Sequence, residues 1–137
     1  RLLLPLLGRM PFSLLYPTGS RQEEIKPRFE RWYRWADVIA GDCHYIRRHM
    51  PADLTGKVIV TNTTTGADLD AFRQRGVRYV LTTTPQFGGR TFGTNMLEAA
   101  ITAVAGKGRP LTVAELSGWI RELKLRPVLH DLDAQEM

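Results

Sequence analysis

From residue 37 onward, short β-branched runs alternate with longer stretches whose apolar positions recur at helical spacing. Asp37-Val38-Ile39-Ala40-Gly41, Lys57-Val58-Ile59-Val60-Thr61-Asn62 and Arg78-Tyr79-Val80-Leu81-Thr82 read as strands, because β-branched side chains fit a pleated, packed surface. Pro127-Val128-Leu129-His130-Asp131-Leu132 reads as a last one. Helical segments separate them. Residues 45–50 form a short helix closed by Pro51. Residues 65–74 are well punctuated: Thr65 caps, Asp68 comes three residues on, and Gly76 stops the helix. Thr94 or Asn95 caps a helix to Ala105, with Gly106 as its stop. Thr112-Val113-Ala114-Glu115 spells a capping box for another, and Leu111 and Leu116 are placed for a hydrophobic staple.

Strands alternating with helices argue for βαβ units and a parallel sheet. The strands are continuous apolar runs, as a sheet covered on both faces requires. Right-handed crossovers are then expected. The expected fold is a three-layer α/β domain, flavodoxin-like or Rossmann-like, with a mainly parallel sheet over residues 37–137. Residues 1–36 form a lead-in that packs on it. Pro5, Pro11, Pro17 and Gly19 make residues 1–20 irregular with one short helix at most. A second helix is expected from Pro27, with Phe29, Trp32, Tyr33 and Ala36 at helical spacing.

Composition narrows the class. At 137 residues, 43% hydrophobic and 24% charged, the chain reads as one ordinary globular domain. No apolar stretch reaches the 18 or so residues of a membrane-spanning helix, so no membrane partner is expected. Arg1-Leu2-Leu3-Leu4-Pro5-Leu6-Leu7 resembles the start of a signal peptide, but Pro5, Gly8 and Arg9 break it and no small-residue cleavage site comes after. Starting at Arg1, the chain reads as a fragment or processed product. Cys43 is the single cysteine, which excludes an internal disulfide and favours a reducing, cytoplasmic setting. The net charge of +5 admits nucleic acid or phosphate partners, yet the cations are spread along the chain like those of solvated faces. Residues 26–35 mix Arg and Lys with aromatics as nucleic-acid binders do. The simpler reading is an amphipathic helix with aromatics inward, arginines outward and a Glu30–Arg34 pair, so nucleic acid is not the expected partner.

In an open parallel sheet, ligands bind beyond the carboxyl ends of the strands. The segment after each predicted strand is small, hydroxyl-rich or glycine-rich: Gly41-Asp42-Cys43-His44, then Thr61-Asn62-Thr63-Thr64-Thr65-Gly66, then the run from Thr82 to Asn95. Two helices begin there, and their free N–H groups suit an anion. Gly88, Gly89 and Gly93 would let backbone approach a ligand. Arg90 would add a forked positive charge, with Arg90→Ala weakening anion binding by about 1–3 kcal/mol if the charge is desolvated. Asn62, Thr63, Thr64, Thr94 and Asn95 complete the candidate binding set. Each of these is equally a cap or turn residue. Asp42 is the candidate catalytic acid or base, with helix capping as its equal alternative. Cys43 reads as a buried, inert thiol, and Trp119 as core. His44 and His49 are five apart and His130 stands alone, so no metal is expected.

Ala36-Asp37-Val38-Ile39-Ala40-Gly41-Asp42-Cys43-His44-Tyr45-Ile46-Arg47-Arg48, Gly56-Lys57-Val58-Ile59-Val60-Thr61-Asn62-Thr63, Gly89-Arg90-Thr91-Phe92-Gly93-Thr94-Asn95-Met96-Leu97-Glu98-Ala99 and Leu15-Tyr16-Pro17-Thr18-Gly19 together resemble a bacterial family often labelled quinate/shikimate 5-dehydrogenase. The resemblance covers nearly the whole chain and implies the carboxyl-terminal part of a longer protein. It leaves the cofactor open, with NAD(P) the one it admits. No G-x-G-x-x-G fingerprint stands in these residues. Asp68 to Val77, Thr84-Pro85, Asn95 and Glu98 are fainter echoes of the flavodoxin-like domain of D-2-hydroxyacid dehydrogenases.

Two functions are expected. One is the α/β domain of an oxidoreductase-like protein that binds a small anion or dinucleotide phosphate at the strand ends. The other is a non-catalytic, regulatory anion-binding domain. The apolar opening segment and aromatics would also serve a homo-oligomer.

Overall fold

The computed structural model describes residues 25–133. The readings on residues 1–24, including the irregular opening and the Leu15–Gly19 echo, lie outside the described residues. In chain order the elements are α1 (Glu30–Trp35), β1 (Val38–Ala40), α2 (Cys43–His49), β2 (Val58–Thr61), α3 (Gly66–Arg73), β3 (Tyr79–Thr82), β4 (Gln86–Phe87), β5 (Arg90–Thr91), α4 (Thr94–Ala105), α5 (Val113–Glu122) and β6 (Val128–Asp131).

The main sheet has the order β1-β2-β3-β6. The first three strands are parallel, joined through α2 and α3. Ile39, Ile59, Val80 and His130 share one register row and therefore one face. Ile39, Ile59 and Val80 pack against Cys43 and Ile46 of α2, its C-cap Met50 and Phe72 of α3 in a single core cluster. The fold is thus α/β with a mostly parallel sheet, as expected.

Burial along β2 and β3 alternates strictly, Ile59, Thr61, Val80 and Thr82 being buried and their neighbours half-buried. The opposite face carries Val38 and Leu129, both more than half exposed, with Val58, Val60, Tyr79 and Leu81 between them. The continuous apolar runs therefore reflect an apolar second face, not one sealed by helices α2 and α3.

β6 runs antiparallel to β3, with Val128 beside Thr82 at the carboxyl edge. A pair of helices separates these strands, and a down-and-up pair returns the chain to the edge it left. The next strand must then run backwards.

α1 starts at Glu30, later than the spacing predicts from Pro27. The Lys26 and Arg28 N–H groups donate to the Arg48 and His49 carbonyls, which holds residues 26–28 extended against the end of α2. Phe29 turns the chain with φ 61°. The Glu30–Arg34 pair forms at 2.8 Å. Of the aromatics only Tyr33 points inward, its hydroxyl donating to the Ile46 carbonyl, while Trp32 and Trp35 are exposed. The inward packing expected of that helix is therefore limited to one residue.

Candidate functional site at the carboxyl edge of the sheet

The parallel register brings the ends of β1, β2 and β3 side by side. Thr61 Oγ1 donates to the Gly41 carbonyl at 2.8 Å, and the Thr83 N–H donates to the Thr61 carbonyl at 2.9 Å. The turns that begin at Gly41, Asn62 and Thr83 are consequently neighbours on one edge.

A second set of bonds draws in the segment after β3. The Thr64 N–H donates to Thr91 Oγ1 at 2.7 Å, the two hydroxyls lie 2.8 Å apart, and the Thr91 N–H donates to the Thr64 carbonyl at 2.9 Å. Thr84 Oγ1 donates to the Phe92 carbonyl at 2.7 Å. Thr61, Thr64, Thr82, Thr84 and Thr91 are all buried. Their hydroxyls are spent on the scaffold, because a buried hydroxyl without a partner is costly. Thr64 is thus a structural tie, not the ligand contact the sequence offered.

This tie seats Gly93 against Thr63, with the position of a Cβ on Gly93 only 3.5 Å from Thr63 Oγ1. The N-terminus of α4 therefore lies beside the turn that opens α3. Gly93 is its N-cap, not Thr94 or Asn95 as the sequence reads, and it supplies no side-chain acceptor. Thr94 and Asn95 occupy the first helical turn, exposed. Among the described residues no acceptor meets the Thr94 and Asn95 N–H groups, nor those of Gly66 and Ala67 at α3. Two helix ends with open donors and positive dipole ends share one rim. Between them Thr63 adopts φ 57°, an uncommon conformation for a β-branched residue, and donates its hydroxyl to Asn62 Oδ1 at 3.1 Å.

The other predicted residues fall elsewhere. Gly88 and Gly89 both take positive φ at the tip of the β4–β5 hairpin, the requirement of a tight two-residue turn. They shape a reversal and give no glycine cradle. The signal was present, since Gly-Gly between short polar and aromatic runs is a hairpin sign. Arg90 pairs across that hairpin with Phe87 and is exposed. Neighbours on a strand face opposite ways, so Arg90 turns from the side on which Thr91 meets Thr64. The desolvation that would make Arg90 a strong anion contact is missing. Asp42 caps α2, accepting the Tyr45 N–H at 3.0 Å. Cys43 is fully buried, and that burial, with Asp68 and Asp42 nearby, pushes its thiol up to about 12. It is a protonated core residue, and no nucleophile.

One pairing escaped the sequence. Asp68, buried beside the rim, accepts the N–H and hydroxyl of Thr65 and an Arg47 guanidinium N–H at 2.7 Å. Burial would raise its pKa, but these hydrogen bonds and the Arg47 charge outweigh it and hold the carboxyl below its usual value. Arg47 lies 21 residues away on α2. Only the packing of α2 on α3 brings the two together. His49 is buried with Nδ1 3.0 Å from the Lys26 carbonyl, and His130 Nε2 is buried without a hydrogen-bond partner. Among the described residues no three His, Cys, Asp or Glu side chains gather as a metal site. No helix among them is long and apolar enough to cross a membrane.

Residues 1–132 match the family model described as a domain of unknown function (DUF8754), and the chain belongs to that family. No curated protein and no solved structure matches it.

Proposed function

We propose that this protein binds a small anion at the carboxyl edge of its sheet, as a ligand-binding domain without chemistry of its own. The observation that carries the reading is the Thr64–Thr91 tie, which sets two helix N-termini on one rim, α3 capped by Thr65 and α4 opening on Gly93, each with first-turn N–H groups still open. A carboxylate or phosphate would accept from the N–H groups of Gly66, Ala67, Thr94 and Asn95. Asn62 and Thr63 would flank it. The regulatory reading gains because the candidate acid is occupied as a cap and the thiol is buried and protonated.

The oxidoreductase reading, with NAD(P), rests on the resemblance to the family labelled quinate/shikimate 5-dehydrogenase. A dinucleotide phosphate is one member of the anion class proposed here. The finer fold, a three-layer flavodoxin-like or Rossmann-like domain, is supported by the apolar second face around Val58, Val60 and Leu81.

Isothermal titration with inorganic phosphate, a panel of hydroxy-acids, NAD and NADP tests the site. Binding that Thr94→Pro weakens, by removing one proposed donor at a helix position that accepts proline, and that Arg90→Ala leaves nearly unchanged supports the rim. No heat with any of them rejects it. Hydride transfer with any nicotinamide and hydroxy-acid pair would restore the enzyme reading.

A further inference from the structure

α4 is apolar almost all round. Its twelve residues, Thr94 to Ala105, contain one charge, Glu98, and only Ile101 is buried. Met96 and Val104 are well over half exposed. A helix with apolar residues on every side is ordinarily buried. Here α2 and α3 already occupy the packed face of the sheet, and α5 contributes no buried residue of its own.

Along α4 runs a groove of about 760 Å³, lined by Asn95, Glu98, Ala99, Thr102 and Ala103 and, past the helix, by Gly106, Gly108, Arg109 and Pro110. Its two ends carry opposite charge. Glu98 has no ion pair among the described residues. At the other end Lys107 and Arg109 both pair with Glu115, at 2.6 Å and 2.9 Å, so two cations share one carboxylate. That end keeps a surplus positive charge, and the Arg109 side chain remains half exposed.

We propose that a second copy of this chain occupies the groove, with the two α4 helices packed antiparallel about a two-fold axis near Ala103. Residue 103 lies midway between Glu98 and Arg109 in the chain. An antiparallel copy then sets each Glu98 against the Arg109 end of its partner, twice per dimer. A two-fold contact must be self-complementary in this way. Ala99, Thr102 and Ala103 line the groove and leave room for close approach of the helices, and Met96, beside Ala103 on the helical wheel, lies at its margin. The proposal does not depend on the anion site.

Sedimentation velocity of the full chain over a concentration series tests it. The expected result is a monomer–dimer equilibrium that weakens with salt. Ala103→Arg, at an exposed position, raises the dimer dissociation constant by about 30-fold or more. Glu98→Arg raises it by about 10-fold, and adding Arg109→Glu to that variant recovers most of the loss. Far-UV circular dichroism checks that each variant stays folded, and the charge pair decides the matter if Ala103→Arg does not. A chain that stays monomeric at every concentration overturns the proposal. So does a dimer indifferent to these substitutions, which would place the contact on the open sheet face or elsewhere.

Discussion

α3 and α5 begin with the same chemistry and end in different surroundings. Each opens on a threonine with an acid three residues later, Thr65 with Asp68 and Thr112 with Glu115. In α3 that acid is buried with Arg47, and Phe72 is fully buried further along the helix. In α5 the acid sits in an outer cluster with Lys107 and Arg109, and no residue is buried. Capping fixes where a helix starts by satisfying its first N–H groups. It carries no information about what the helix packs against. Stability therefore concentrates in the β1–β3 half of the molecule, although both halves look equally helical in sequence.

The largest expected effect lies in that half. Phe72→Ala removes a fully buried ring from the core cluster and should cost about 4 kcal/mol in urea unfolding. Val113→Ala, on α5 at 81% exposure, should change the same stability by less than about 0.5 kcal/mol. Equal effects would erase the contrast between the halves.

Next comes the ion pair. Asp68→Asn leaves the Arg47 guanidinium partly buried with its Nε already lacking a partner, and should cost about 3 kcal/mol at neutral pH. The carboxyl of Asp68 is held below its ordinary value in the fold. Its contribution is therefore full above the unfolded carboxylate pKa, about 3.9, and is lost as pH falls through the lower folded value. The variant should lose less stability on acidification than the native chain. A parallel acid profile for the two would remove Asp68 from this role.

These particulars show what the sequence held. Strands β1, β2, β3 and β6, the parallel run of the first three, both ends of α3 and the start of α5 were legible, because caps, β-branched runs and Gly76 act within a few residues. The neighbouring carboxyl-edge turns were legible too, since parallel strands put them there. The rest is long-range. That Asp42 caps α2 and that Gly88-Gly89 closes a hairpin are local facts, yet each competed with a functional reading of the same residues. The Thr64–Thr91 tie, the Arg47–Asp68 pair, the exposure of Trp32 and Trp35 and the absence of a buried residue in α5 depend on which faces meet, and nothing within one element states that.

Gly76 links the packed half to its connections. It lies just past α3 with φ +77°, and a Cβ there would lie 2.7 Å from Thr55 Oγ1 and 3.0 Å from the Thr55 Cα. The Gly56 N–H donates to its carbonyl at 2.8 Å, so the backbone cannot easily retreat. Gly76→Ala should cost about 2 kcal/mol, from left-handed strain and the close contact together. Gly106, with φ +62° and nothing near its Cβ position, supplies the control in the other half. Gly106→Ala should cost about 1 kcal/mol, the strain alone.

The smallest effect returns to the caps. Thr112 Oγ1 accepts the Glu115 N–H at 3.3 Å, and the Glu115 carboxylate accepts the Thr112 N–H at 2.8 Å. Thr112→Ala should destabilise α5 by about 1 kcal/mol, the usual worth of an N-cap. Because α5 packs so little, that loss should show as faster amide exchange within α5 while exchange in β2 and β3 keeps its rate. Thr65→Ala should instead speed exchange across the whole packed half, since the lost hydroxyl also holds Asp68 toward Arg47. If Thr112→Ala speeds exchange in the sheet as much as in α5, the two halves unfold as one unit, and the contrast lies in burial alone without a matching difference in local stability.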